Sequence, residues 1–368
     1  MKATERPAVE GRLRDPLTPL AALREVIAAA RDVPTLATAA AAIPRLAAEL
    51  LDDGNAAAAV QVGETTRLIS ALNDQVSERV VHVLAAEMGM DMGRACWLVF
   101  GSQGRGEQTL LTDQDNGLVF AAAGDDDAQA QRPAWMAFGQ RVNEALDRCG
   151  YALCDGSVMA GQPLCCLSTD EWRRRFEHWM AHGDGNDLFA ARIYFDLRAL
   201  TGDAALARPL LDLLRSPAAA MPRFAKQMAD IVLCKRVPLN WLGQVVTSEH
   251  GGEPMFDLKL SGTNFFVDAG RLWALAHRLD EVGTVPRLRA AAAVLRVPDK
   301  ETSAWVAGFQ ALQGLRLRMQ RARLGSAEAQ ERTRVPWREL DAAARNEIKQ
   351  ALRAARVLQQ RIELDYCR

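Results

Sequence analysis

Residues 99–120, VFGSQGRGEQTLLTDQDNGLVF, decide how this chain is read. An apolar run from Ala95 to Phe100 stops at Gly101-Ser102. A polar, glycine-rich segment carrying Arg105 and Glu107 follows, and Asp113 and Asp115 then open a second apolar run. Glycine has no Cβ to hold a ligand off, so a strand that ends in Gly-Ser brings backbone amides up to phosphate oxygens. Asp113 and Asp115 stand at i and i+2 of a strand and so point to the same face. Two hard oxygen ligands on one face suit Mg²⁺ or Mn²⁺, with water and phosphate filling the remaining positions. Asp113 follows Ser102 by eleven residues, room for a helical turn that returns the second strand to the same sheet edge. The stretch predicts a metal-dependent nucleotidyl-transfer site in which Asp113 and Asp115 bind the metal and position a nucleoside triphosphate.

Other residues are weighed against that site. Thr-Asp-Gln-Asp-Asn is also good turn composition, and the pairing with Gly101-Ser102 is what favours the site. Ser102 is placed to hydrogen-bond a β- or γ-phosphate, and Arg105 to hold a phosphate by a bidentate contact. Glu107 pairs with or orients Arg105; a solvated charge pair is the alternative for both. Asp155, at the end of an expected third strand YALCD (151–155), is the candidate third catalytic carboxylate, or else a turn aspartate before Gly156. GSQGRGEQ is no P-loop, because no GK[ST] follows, and its glycines run GxxGxG, not the dinucleotide GxGxxG. His178 and His182 lie four apart on an expected helix but lack a clear third ligand for zinc. RLRMQRAR (316–323) reads as the solvated face of a helix, with a phosphorylated or nucleic-acid partner as the exception.

A net charge of −1 over 368 residues argues against bulk nucleic-acid binding or a membrane surface. No apolar run reaches the roughly 18 residues that span a bilayer. MKATERPAVEGRLRDPL lacks the apolar core of a signal peptide. The seven cysteines have no zinc-ligand spacing and read as free thiols of a cytoplasmic protein. Helical periodicity dominates 17–92, with Pro44 expected to kink or split one helix and a break near Asp53-Gly54. Strands ACWLVF, NGLVFAA and YALCD with helices at 132–150, 169–182 and 185–199 form a mixed region. Helices at 204–215, 221–247, 262–281, 284–295, 301–324 and 338–364 complete the chain. The fold class is α+β, mostly helical: an N-terminal helical segment (1–70), a small mixed-sheet catalytic domain (71–205) and a C-terminal helical bundle (206–368).

GSQGRGEQTLLTDQDNGLVF is similar to the signature of nucleotidyltransferases of the DUF294 type, relatives of the PII-protein uridylyltransferase in the DNA polymerase β-like superfamily. GSVMAGQP (156–163), FDLRALTGD (195–203), FDLKLSGTNFFVDAGRLWAL (256–275) and the stretch 334–363 resemble later blocks of that family. The resemblance implies a polymerase-β-like mixed sheet and a helical substrate-binding domain. It makes Gly101 and Ser102 the triphosphate-binding pair, and Asp113 and Asp115 the metal ligands. Many members carry cyclic-nucleotide-binding and CBS modules where this chain has residues 1–70, and Cys-Pro-Gly where it has Cys154-Asp155-Gly156. The implied reaction moves a nucleoside monophosphate from UTP or ATP to an acceptor hydroxyl, on a protein by likeness to the uridylyltransferase, and releases pyrophosphate. A regulatory module that binds nucleotide or partner without turnover, and a small-molecule nucleotidyltransferase, are the alternatives.

Overall fold

In the computed structural model, which describes residues 17–49, 51, 58–325 and 333–367, ACWLV forms β1 (Ala95–Val99) and NGLVF forms β2 (Asn116–Phe120). The N-terminal stretch 1–16 and the break expected near Asp53-Gly54 lie outside the described residues. β1 and β2 pair antiparallel, with Ala95 opposite Phe120 and Val99 opposite Asn116. β4 (Arg198–Gly202) flanks β1 antiparallel, and β3 (Cys166–Ser168) runs parallel to β2, giving the mixed order β3-β2-β1-β4.

Side chains alternate across a strand, so a sheet buried on both faces needs apolar residues at every position. β1 meets that demand, being buried throughout. Trp97 and Val99 of β1, with Leu118 and Phe120 of β2, face a layer of α1 (Leu17–Ala29), α2 (Val33–Glu49), α3 (Ala58–Met88) and α5 (Asp125–Arg148). Cys96, Leu98 and Val119 face the other way, toward α6 (Thr169–His182), α7 (Gly185–Ala191) and α8 (Arg208–Leu214). That second core runs on without a break into α9 (Pro222–Leu233), α10 (Asn264–Ala276), α11 (Thr284–Val294), α12 (Asp299–Arg323) and α13 (Ala342–Tyr366). The apolar core thus crosses residue 205, where composition alone places a domain boundary. The α+β, mostly helical class with a small mixed sheet is what the sequence predicts.

Several elements differ from expectation. YALCD is no strand: only Ala152 pairs, in a parallel bridge with Asp113, and the three residues of β3 take the edge of β2 instead. Ser168 then starts α6 with a capping box, its hydroxyl accepting from the Glu171 amide while the Glu171 carboxylate accepts from the Ser168 amide. The helix expected over 185–199 is cut short after α7 by a 3₁₀ turn, Arg192–Phe195, and β4 uses the residues that follow. The helix expected over 221–247 ends at Leu233. A second sheet sits in the otherwise helical C-terminal part, with order β5 (Ser248–His250), β6 (Glu253–Asp257), β7 (Arg334–Pro336). Its hairpin turns on Gly251 and Gly252, both at positive φ. α2 runs through Pro44 unsplit. Among the described residues no helix is long and apolar enough to cross a membrane.

Candidate active site

The alternation of Asp-Gln-Asp-Asn divides four consecutive residues between two jobs. Gln114 and Asn116 turn into the protein and knit the surrounding backbone. The Gln114 amide donates to the carbonyls of Asn143 (3.0 Å) and Tyr151 (2.8 Å), and its oxygen accepts from Asn143 at 2.8 Å. The Asn116 oxygen accepts from the Asn143 amide (2.9 Å) and from the Ala160 backbone (2.8 Å). A buried polar network with its donors and acceptors paired is stiff. Asp113 and Asp115, one position out of phase, are thereby held toward the opposite side. The Asp115 carbonyl also accepts from the Phe100 amide at 2.9 Å, which fastens the start of α4 (Gly101–Gly104) to it.

Two glycines of the signature are set by close approach. Gly101 has φ +53°, and a Cβ there would stand 2.4 Å from Asp115 Oδ2. At Gly104 a Cβ would meet the Asp196 carbonyl oxygen at 1.9 Å. The first glycine makes room for the carboxylate and the second for another part of the chain.

Gly101, Ser102, Asp113 and Asp115 come together around two adjoining cavities. A cleft of about 730 Å³ is bordered by Gly101, Ser102 and Asp115 on one side and by α7 and Lys259 on the other. A small polar cavity of about 30 Å³ lies beside it, bordered by Ser102, Asp113, Lys259 and Arg316. Burial and the neighbouring Asp113 carboxylate push Asp115 up to about 7, against the pull of the Lys259 charge. A carboxylate so raised by a neighbouring carboxylate, with no cation bonded directly to it among the described residues, fits a hard divalent cation. Among the described residues no cluster of three or more His, Cys, Asp or Glu is arranged to hold a metal. Asp113 and Asp115 are two groups that could hold one here, with substrate oxygens and water completing the shell.

Asp155 stands in an exposed turn. The side chain that reaches Asp115 from this segment is that of Cys154, whose Sγ donates to Oδ1 at 3.4 Å. Burial and the Asp115 charge push the Cys154 thiol up to about 11, so it remains an S–H donor at neutral pH. Arg105 and Glu107 are held inside the protein by partners of their own. The Arg105 guanidinium bonds Glu107 (2.8 Å) and Asp196 (2.5 Å), and Glu107 accepts from both the backbone amide and the hydroxyl of Thr284 at the start of α11. Asp196 is fully buried and also binds Arg271 of α10 and Arg287 of α11. Burial alone would raise its pKa; Arg271, Arg287 and Arg105 outweigh that and hold it well below the ordinary carboxylate range.

RLRMQRAR is not the solvated face that its charge suggested. Arg316 turns inward beside Asp113, bonding Gln313 at 2.8 Å, while its Nε is buried without a hydrogen-bond partner. Burial lowers it to about 10, against the pull of Asp113, so it remains charged at neutral pH. Gln313 and Gln320 of the same helix bond the backbone of Glu107 and Leu111, so α12 carries the loop that leads to Asp113. Lys259 was also not singled out from sequence. It opens a π-helical turn, Lys259–Thr263, whose first amides are capped by Asp257. Such turns gather at functional sites, and the signal in the sequence is that Lys259 lies within the quoted stretch 256–275.

Residues 41–186 match the family model described as "Putative nucleotidyltransferase DUF294". Residues 222–366 match the one described as "Putative nucleotidyltransferase substrate binding domain". A search of curated proteins gives no match. The first model contains Gly101, Ser102, Asp113 and Asp115, the second Lys259 and Arg316, and together they span more than half of the chain. The chain belongs to the DUF294 family of nucleotidyltransferases, with that family's substrate-binding domain at its C-terminal end.

Proposed function

We propose that the protein is an Mg²⁺- or Mn²⁺-dependent enzyme that moves a nucleoside monophosphate from UTP or ATP to an acceptor hydroxyl on a protein, in a reducing cytoplasm. The acceptor hydroxyl gives up its proton to solvent as its oxygen forms a bond to the α-phosphorus, the bond from that phosphorus to the bridging oxygen breaks, and pyrophosphate leaves. The observation that carries this reading is Asp115 at the edge of a cleft of about 730 Å³, a volume suited to a nucleotide, with Asp113 beside it on the small adjoining cavity. A bound divalent cation would supply neutralisation of triphosphate charge. Asp113 and Asp115 would hold that cation beside the triphosphate. The Ser102 hydroxyl donates to a phosphate oxygen, and Lys259 adds a compact positive charge from the C-terminal side of the cleft. Gln114, Asn116 and Asn143 keep the carboxylates in register, so that little reorganisation remains for the reaction itself.

The test is transfer of label from α-labelled ATP, UTP, GTP and CTP into lysate proteins, with Asp113→Asn/Asp115→Asn beside the wild type. Removal of both carboxylates should reduce labelling by at least about 10²–10³-fold. Undiminished labelling in the double variant would overturn the assignment. Label confined to small molecules would move the acceptor to a metabolite. One observation favours a second reading: Cys154, not a carboxylate, stands beside Asp115. A site with two carboxylates suits a regulatory module that binds nucleotide without turnover, and metal-dependent nucleotide binding with no labelling would select it.

A further inference from the structure

The cleft beside Asp115 has a second end that the transfer chemistry leaves unused. Three apolar side chains from separate segments stand half-exposed along it: Leu164 at 64%, Phe189 at 51% and Leu260 at 49%. Phe189 is the distinctive one. The Arg192 guanidinium carbon lies 3.7 Å from its ring centroid, and the Arg192 Nη1 donates to the Phe189 carbonyl at 3.2 Å. One face of the ring is covered by the Arg192 guanidinium, which itself borders the cleft and reaches Asp268 at 3.9 Å, and the residue as a whole stays half-exposed. The other two aromatic rings along the cleft, Trp179 and Tyr194, are 7% and 5% exposed, and both lie against the Arg175 guanidinium. Neither has a face to offer. α7 itself is anchored: Asp184 and Asp187 form a capping box at its start, and Leu188 is buried beneath it.

Resting on the reading above, we propose that Phe189, with the Arg192 guanidinium against one of its faces, is the platform on which the nucleobase of the donor triphosphate stacks. A base needs a flat apolar surface with one open face, and an aromatic ring held in place satisfies that for any base, because every base has a π-face. The cation behind the ring pairs with its negative quadrupole and stiffens its position. The cleft joins this platform to the carboxylate end, so one nucleotide can present phosphates to Ser102 and Asp115 while its base lies over Phe189. Leu164 and Leu260 exclude water from the edges of the stack.

The test separates base from phosphates. With the full chain and Mg²⁺, affinities for ATP, UTP, GTP and CTP are compared with that for inorganic tripolyphosphate, in the wild type, Phe189→Ala and Phe189→Trp. Phe189→Ala should weaken whichever nucleotide binds by about 10-fold, a loss typical of one stacked base. Tripolyphosphate affinity should be unchanged, and Phe189→Trp should bind nucleotide at least as tightly as wild type. An equal loss for tripolyphosphate would mean that Phe189 merely shapes the cleft and would overturn the proposal. Unchanged nucleotide affinity would also overturn it; if protein labelling then fell, the ring would belong to the acceptor. A wild type that binds neither nucleotide nor tripolyphosphate would fail the functional reading itself, before any Phe189 variant is compared.

Discussion

Asp196 and Asp115 are both buried carboxylates, both close to Arg105, and they are pushed in opposite directions. Asp196 receives three guanidinium groups, from Arg105, Arg271 and Arg287, and is held below the ordinary carboxylate range. Asp115 has another carboxylate for a neighbour, a thiol for its hydrogen-bond donor and only more distant positive charge, and is pushed up to about 7. Burial acts alike on the two; the difference is the partners that the fold supplies. A carboxylate saturated by cations fastens segments together. One left with excess negative charge is available to a cation from solution, at a cost to the stability of the folded chain.

The largest effect should come from removing the saturated charge. Asp196→Asn removes the buried counter-ion shared by three guanidinium groups, leaving Arg105 with Glu107 and Arg271 with Asp268, and about 3–5 kcal/mol of stability should be lost, read as a lowered denaturant midpoint. An unchanged midpoint would erase the contrast. In the wild type that contribution is present above about pH 4 and fades as the pH falls through the depressed pKa of Asp196. Next comes Gly104→Ala, where the added Cβ meets the Asp196 carbonyl oxygen. The backbone must shift, at a cost of about 1–3 kcal/mol, visible in the same unfolding experiment.

Asp115→Asn should act with the opposite sign. Its folded pKa of about 7 lies above an unfolded carboxylate's, so the metal-free protein loses stability as pH rises from about 4 to about 7. The asparagine variant escapes that loss. At pH 8 it should be more stable than wild type by on the order of 2 kcal/mol, with no advantage at pH 4. Added Mg²⁺ should raise the wild-type melting temperature and leave the variant's unmoved; a variant less stable than metal-free wild type at pH 8 would break the comparison. The smallest effect belongs to Cys154→Ser, which keeps a donor to Asp115. A change within about 1 kcal/mol in stability is expected, with labelling unaltered.

The legible parts of this chain were those whose cause is local. Asp113 and Asp115 are two residues apart on the segment that leads into β2, which itself begins only at Asn116, and β1 and β2 are visible because their runs are mostly apolar and buried throughout. β3 has three residues, too few for alternation to register, while the five of YALCD resemble a strand but pair at Ala152 alone. The Arg105–Glu107 pairing is local and legible, whereas their other partners, Asp196 and Thr284, lie 91 and 177 residues away along the chain. For Arg316, the charged neighbours mark it as surface although it turns inward beside Asp113. Long-range pairing decides between anchoring and binding for an arginine, and no short window contains it.

The Asp196 cluster also bears on how far the two halves can be separated. Arg105 and Asp196 lie before residue 205, and Arg271 and Arg287 after it. A transplant of the C-terminal helices onto another transferase would carry Arg287 and Arg271 without the carboxylate they share, leaving Arg271 only its helix neighbour Asp268. Such a chimera needs an acidic residue at the place of Asp196 and a neighbour as small as Gly104 to let its backbone in. Compatibility between catalytic and substrate-binding halves in this family can accordingly be screened at those two positions before any chimera is made.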